Sequence, residues 1–122
     1  MSKKTIILGA SNRPDRYAFQ AAMRLKNAGH PFVPLSIKSG DVLGEEMINL
    51  REQPSIQEVD TITVYMNEHR QSEWEDYIIS LKPKRIIFNP GAENQRLAEK
   101  AESEGIETIN ACTLVMLGIG NY

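Results

Sequence analysis

The chain has 122 residues, which gives room for one domain over 1–122, and its 41% apolar and 25% charged residues sit near the globular average, so a core of ordinary size needs no staple. A net charge of -2 with scattered basic residues supplies no basic field, which excludes nucleic acid as a partner on this reading. One cysteine, Cys112, rules out an intrachain disulfide. With no signal-like apolar segment after Lys4 and no run near the ~20 residues of a membrane helix, the sequence predicts a cytoplasmic protein with no membrane partner.

Thr5-Ile6-Ile7-Leu8 is a β-branched apolar run stopped by Gly9 and reads as a strand buried on both faces. Residues 9–15 have loop composition. Ala18, Ala21, Ala22 and Leu25 then recur at one helix face, and Gly29 stands where a glycine ends such a helix. Phe32-Val33-Pro34-Leu35 reads as a second strand, its proline favouring an edge-like place or a strand end. From Ser36 to Asp60 the pattern is weak: a turn at 38–41, a short extended piece at 42–44, one helical turn at 56–59. Thr61-Ile62-Thr63-Val64-Tyr65 is a strong third strand. Ser72 and Glu75 have capping-box spacing, and Trp74, Tyr77, Ile78 and Leu81 carry the helix behind them to Lys82-Pro83. Arg85-Ile86-Ile87-Phe88 is a fourth strand, residues 93–104 a helix, and Glu107-Thr108-Ile109 a short fifth strand. The apolar tail at 114–119 reads as cover for its own sheet, with a homodimer patch as the alternative.

Strands alternating with helices specify an α/β fold: a single Rossmann-like three-layer domain on a five-stranded parallel sheet. The expected order is 3-2-1-4-5, which opens a crevice at the carboxyl ends of strands 1 and 4. Gly9-Ala10-Ser11, with Asn12 and Arg13, lies between strand 1 and the first helix, where free amides and the positive helix end hold a pyrophosphate. Only the first of three customary glycines is present, and a plain βα turn competes with this reading. At the end of strand 2 an NAD site offers a carboxylate. Here Ser36, Lys38 and Ser39 offer a cation and hydroxyls, suited to a ribose bearing an extra phosphate, as in coenzyme A or NADP; a solvated Lys38 is the plain alternative.

Tyr65-Met66-Asn67 offers an adenine wall, against a buried tyrosine at a strand end. Asn89, Pro90, Gly91 and Ala92 form a second loop at the crevice, expected to face the diphosphate or the pantetheine arm, against a simple proline-glycine turn. His69 falls on the ligand side without a visible partner, so no catalytic role is assigned to it. Cys112 reads as small core filling, metal-ligand spacing is absent, and Glu73, Glu75 and Asp76 read as a solvated face.

Together these features resemble the small stand-alone CoA-binding domain family, related to the CoA-binding Rossmann domain of succinyl-CoA synthetase α subunits. The matching residues are Gly9-Ala10-Ser11, the run from Leu25 to His30, Pro34 to Lys38, Leu43-Gly44-Glu45, Val59-Asp60, Asn89 to Asn94, and Ala111-Cys112. Where that family usually has Asn-Pro after strand 2, this chain has Ser36-Ile37; its aromatic-x-Gln-x-Gly run is here Phe88-Asn89-Pro90-Gly91. The resemblance implies a Rossmann fold that binds coenzyme A non-covalently, without an established reaction. A small NADP-dependent oxidoreductase or redox sensor, and an interaction protein with a degenerate empty site, are the alternatives.

Overall fold

The computed structural model describes residues 2–122. In chain order it runs β1 (Thr5–Leu8), α1 (Tyr17–Asn27), β2 (Phe32–Ser36), a small hairpin of β3 (Asp41–Val42) and β4 (Glu45–Glu46), and β5 (Ile48–Asn49). Then come β6 (Thr61–Val64), α2 (Glu68–Gln71), α3 (Glu75–Ser80), β7 (Arg85–Phe88), α4 (Gln95–Ser103), β8 (Glu107–Asn110) and α5 (Thr113–Ile119). The α/β class and the parallel sheet are as expected. The sheet, however, has six strands, in the order β5-β2-β1-β6-β7-β8, all parallel.

The sixth strand corrects the expected order. The two-residue β5 takes the edge beside β2, and the strand at Thr61–Val64 lies next to β1. Pro34 fits β2 because β5 covers only Leu35 and Ser36, so the outer side of Pro34 is left unpaired, where a residue without an N–H is tolerated. The helical turn expected at 56–59 is absent; that stretch is irregular.

Strand alternation sorts the core into two faces. Ile6, Leu8, Ile62, Val64, Ile86 and Phe88 pack against Trp74, Tyr77 and Ile78 from the α2–α3 stretch and against Leu97 and Ala101 of α4. Ile7 turns to the other face and meets Ala18, Ala22 and Leu25 of α1, with Leu117 of α5 alongside. The 114–119 tail is therefore a helix laid on its own sheet beside α1. This face also buries polar groups from alternate strand positions. Thr63 and Thr113 hydroxyls bond each other at 2.7 Å, and Arg85 Nε donates to Thr61 Oγ1 at 3.0 Å. Among the described residues no helix is long and apolar enough to cross a membrane.

Candidate functional site

From β1 the chain moves out to β2 and β5, then returns to β6 and continues to β8. The reversal thus falls between β1 and β6, not between the strands at 5–8 and 85–88. Open α/β sheets bind ligands at this point, beyond the carboxyl ends of the strands. A cleft of about 770 Å³ opens there, lined from β1, β2, β6 and β7 exits and from the start of α1. A wider depression of about 1030 Å³ lies at the opposite end of the strands, bordered by Lys4, Pro31, Tyr77 and the irregular residues 53–60.

The floor of the cleft begins at Gly9. Its φ of 88° suits glycine, and a Cβ there would come within 3.2 Å of Met66 Cγ and of the Tyr65 carbonyl carbon. The amides of Gly9 and Ala10 both point at the carbonyl of Leu35, at 2.9 and 3.3 Å. These two expected phosphate donors are therefore consumed by β2. Arg13 N donates to Ser11 Oγ at 3.1 Å. The amides of Ser11 and Asn12 have no protein acceptor among the described residues. The same holds for the amides of Tyr17 and Ala18. Arg16, the residue capping α1, offers no side-chain acceptor, and the first turn holds no acid. The positive end of an 11-residue helix is thus left open to the cleft.

Cations surround it. Arg16, Lys38, Arg51 and Arg70 line the cleft, against Glu73 as its acidic lining residue. Ser36 is buried and its Oγ accepts from Lys38 N at 3.0 Å, a local turn that sends the chain out of β2 towards the cleft. Of the sequence candidates, Gly9, Ala10, Ser11, Ser36, Lys38, Tyr65, Met66, Asn67, Pro90, Gly91 and Ala92 line the cleft. Asn12 and Arg13 do not: Asn12 lies beside Gly40, and Arg13 is exposed and paired with Asp15 at 3.5 Å.

Asn89 is also not in the lining. It is buried, donates from Nδ2 to Thr63 Oγ1 and to the Val64 carbonyl at 2.7 and 3.0 Å, and accepts from Thr113 N at 2.9 Å. These bonds turn its amide into the core and away from the cleft, which takes Asn89 out of the contacts expected of the second loop. Tyr65 lines the cleft but its hydroxyl is buried and has no hydrogen-bond partner among the described residues; burial pushes its pKa up to about 12. Asn67 is exposed and its Oδ1 accepts from Arg70 N at 2.9 Å, capping α2.

That cap moves the helix start ahead of the expected capping box. Ser72 bonds the carbonyl of His69 at 2.8 Å instead, within a helical stretch that runs almost unbroken from 68 to 80. Glu75, expected on a solvated face, is buried. It takes Arg96 Nη2 at 2.7 Å and Asn94 Nδ2 at 3.1 Å, and the Arg96 hydrogen bond holds its carboxyl below the usual carboxylate range. His69 and Cys112 lie outside the cleft lining. Among the described residues no cluster of three or more metal-ligating groups occurs.

Sequence reasoning missed Arg16, Tyr17, Arg51, Arg70 and Trp74 as lining residues. The absence of an acid in the first turn of α1 was a signal for Arg16 and Tyr17. The Asn67 cap was one for Arg70. Arg51 lies in the stretch where no periodicity is visible.

Fold and cleft define a Rossmann-type α/β domain with an anion-attracting opening at its switch point. The chain belongs to the CoA binding domain family, whose model matches residues 3–118. A crystal structure of an uncharacterised protein shares 52% identity over 100% of this chain and 99% of its own, with a TM-score of 0.96. A hypothetical protein from Pyrococcus horikoshii OT3 matches 93% of this chain and 80% of its own at 23% identity and a TM-score of 0.80. A Thermus thermophilus protein matches 99% and 91% at 18% identity and a TM-score of 0.82; these last two likenesses concern the fold alone. No protein of curated function matches the chain.

Proposed function

We propose that this protein binds coenzyme A non-covalently in the cleft between the exits of β1 and β6, and serves as a cytoplasmic carrier or sensor of it without turning it over. The observation that carries this reading is the concentration of positive potential in one place. A chain of net charge -2 brings Arg16, Lys38, Arg51, Arg70 and the open end of α1 to a single cleft. Such a site suits a ligand with several phosphates. The diphosphate falls to the amide of Ser11 and to α1, and the ribose phosphate to Lys38 and Arg51. The wall formed by Met66, Trp74, Pro90, Gly91 and Ala92 suits a long, mostly apolar arm. Ser36-Ile37-Lys38 at the end of β2 lacks the carboxylate an NAD ribose uses.

Thermal shift with coenzyme A, dephospho-coenzyme A, NAD and NADP tests the assignment. A ligand at about 100-fold its dissociation constant adds about 2.7 kcal/mol of stability. Coenzyme A is expected to give the largest shift, reduced for the dephospho form. A shift with NADP alone moves the protein to the redox reading, and no shift with any of them leaves an empty Rossmann domain. Acetyl-coenzyme A is expected to stay intact with the protein, followed by thiol titration; thiol release above the spontaneous rate overturns the non-catalytic role.

A further inference from the structure

Gln71, the last residue of α2, is completely buried at 0% exposure, unusual for a glutamine. Its Nε2 donates to the carbonyls of Met66 and Ala92, each at 2.7 Å, and its Oε1 accepts from Asn94 Nδ2 at 2.9 Å. Met66 belongs to the loop leaving β6 and Ala92 to the loop leaving β7, and both line the cleft. Among the described residues no backbone hydrogen bond joins 65–67 to 90–93. One side chain therefore ties together the two loops that make one cleft wall.

The tie is itself anchored. Asn94 caps α4 through Leu97 N at 3.1 Å and reaches Glu75 Oε2, which Arg96 holds in turn. Burying an amide is costly unless all its groups are satisfied, as they are here, and without it two inward carbonyls lose their donor. An apolar residue would fill this core position with no such demand. Lys38, Arg51 and the open end of α1, to which the phosphates are assigned, come from other segments, and none of them is a hydrogen-bond partner of Gln71.

We propose that Gln71 is a positioning residue: it fixes the spacing of the Met66 and Ala92 loops and thereby sets affinity for the pantetheine arm, leaving the phosphate-binding wall unaffected. The inference rests on the coenzyme A reading above. Isothermal titration of wild type, Gln71→Met and Gln71→Asn with coenzyme A and with adenosine 3′,5′-bisphosphate, which lacks the arm, tests it. Gln71→Met is nearly isosteric but cannot donate, and is expected to weaken coenzyme A binding about tenfold while the bisphosphate changes by less than about twofold. Gln71→Asn keeps the amide one methylene short and is expected to lie between.

A merely structural role weakens both ligands alike, and that result overturns the inference, as does unchanged coenzyme A affinity in both variants. Wild type that binds neither ligand removes the coenzyme A reading and this inference with it. Wild type that binds while the variants bind equally well removes the inference alone. Should circular dichroism find Gln71→Met unfolded, Gln71→Asn decides by the same ratio.

Discussion

Asn89 comes directly after β7 and opens an Asn-Pro-Gly run, a sequence that reads as a solvent-facing turn. Only Pro90 and Gly91 follow that reading; Asn89 points inward and joins β6, β7 and the start of α5 through three hydrogen bonds. Its amide does for the polar face of the core what a ligand contact would have done for the cleft. Replacing it by alanine strands Thr113 N and takes a donor from Thr63 Oγ1, while the Val64 carbonyl keeps the backbone amide of residue 89; the change is expected to cost about 1–3 kcal/mol in urea denaturation. Coenzyme A affinity of the folded Asn89→Ala protein is expected within about twofold of wild type, since ligand contact is not what the bonds supply. A large affinity loss with little change in stability returns Asn89 to the binding loop. The same residue-scale logic explains Gly9 and Ala10. Their amides have acceptors only because β2 extends its carbonyl at Leu35 alongside them. Nothing within residues 9–13 reveals that, because the acceptor is more than twenty residues away.

The helical stretch from 68 to 80 shows what sequence pattern resolves and what it does not. The apolar spacing of Trp74, Tyr77 and Ile78 was legible because those side chains face the sheet. The start of the helix was not, since Asn67 and Ser72 are both competent caps and only the turn leaving β6 selects the first. Glu75 was misread for a related reason: its partners Asn94 and Arg96 come from α4 and its approach, and a charge run on one helix gives no sign of a cation reaching in from another. Because its folded pKa is depressed by Arg96, its stabilising contribution is complete above the ordinary value of 4.5 and is lost as pH falls through the depressed one. Glu75→Gln is expected to cost about 1–3 kcal/mol at neutral pH, towards the lower end because water screens the exposed Arg96. In urea melts at descending pH the gap between wild type and variant is expected to close below the ordinary carboxylate pKa. A gap that persists unchanged into strong acid assigns the effect to packing and not to charge.

At the scale of the whole molecule, the strands at 5–8, 61–64 and 85–88 were legible as β-branched runs, and the three-layer class followed from their alternation with helices. Strand order was not, because it turns on β5. Two residues are too few to carry an alternation, and leaving them out gives the edge position to the strand that actually lies beside β1. Counting β5, the strands stand 3-2-1-4-5-6 across the sheet, and the switch point moves to the β1–β6 gap where the cations gather. That gathering is also invisible in the net charge of -2, since Arg16, Lys38, Arg51 and Arg70 come from four separate segments. A local positive field on an acidic body makes association with a polyanion sensitive to ionic strength, because exposed charges are screened over about 10 Å at 0.1 M salt. Raising salt from about 20 to about 500 mM is therefore expected to weaken coenzyme A binding by about fivefold or more in isothermal titration, and Arg51→Ala to flatten that dependence. The ligand-free protein is expected to change little in urea stability over the same range, since its exposed pairs Arg13–Asp15 and Lys100–Asp76 each contribute about 0–1 kcal/mol. Affinity that stays flat with salt means the cofactor is held by shape and hydrogen bonds alone, and the electrostatic basis of the assignment fails even if binding itself is found.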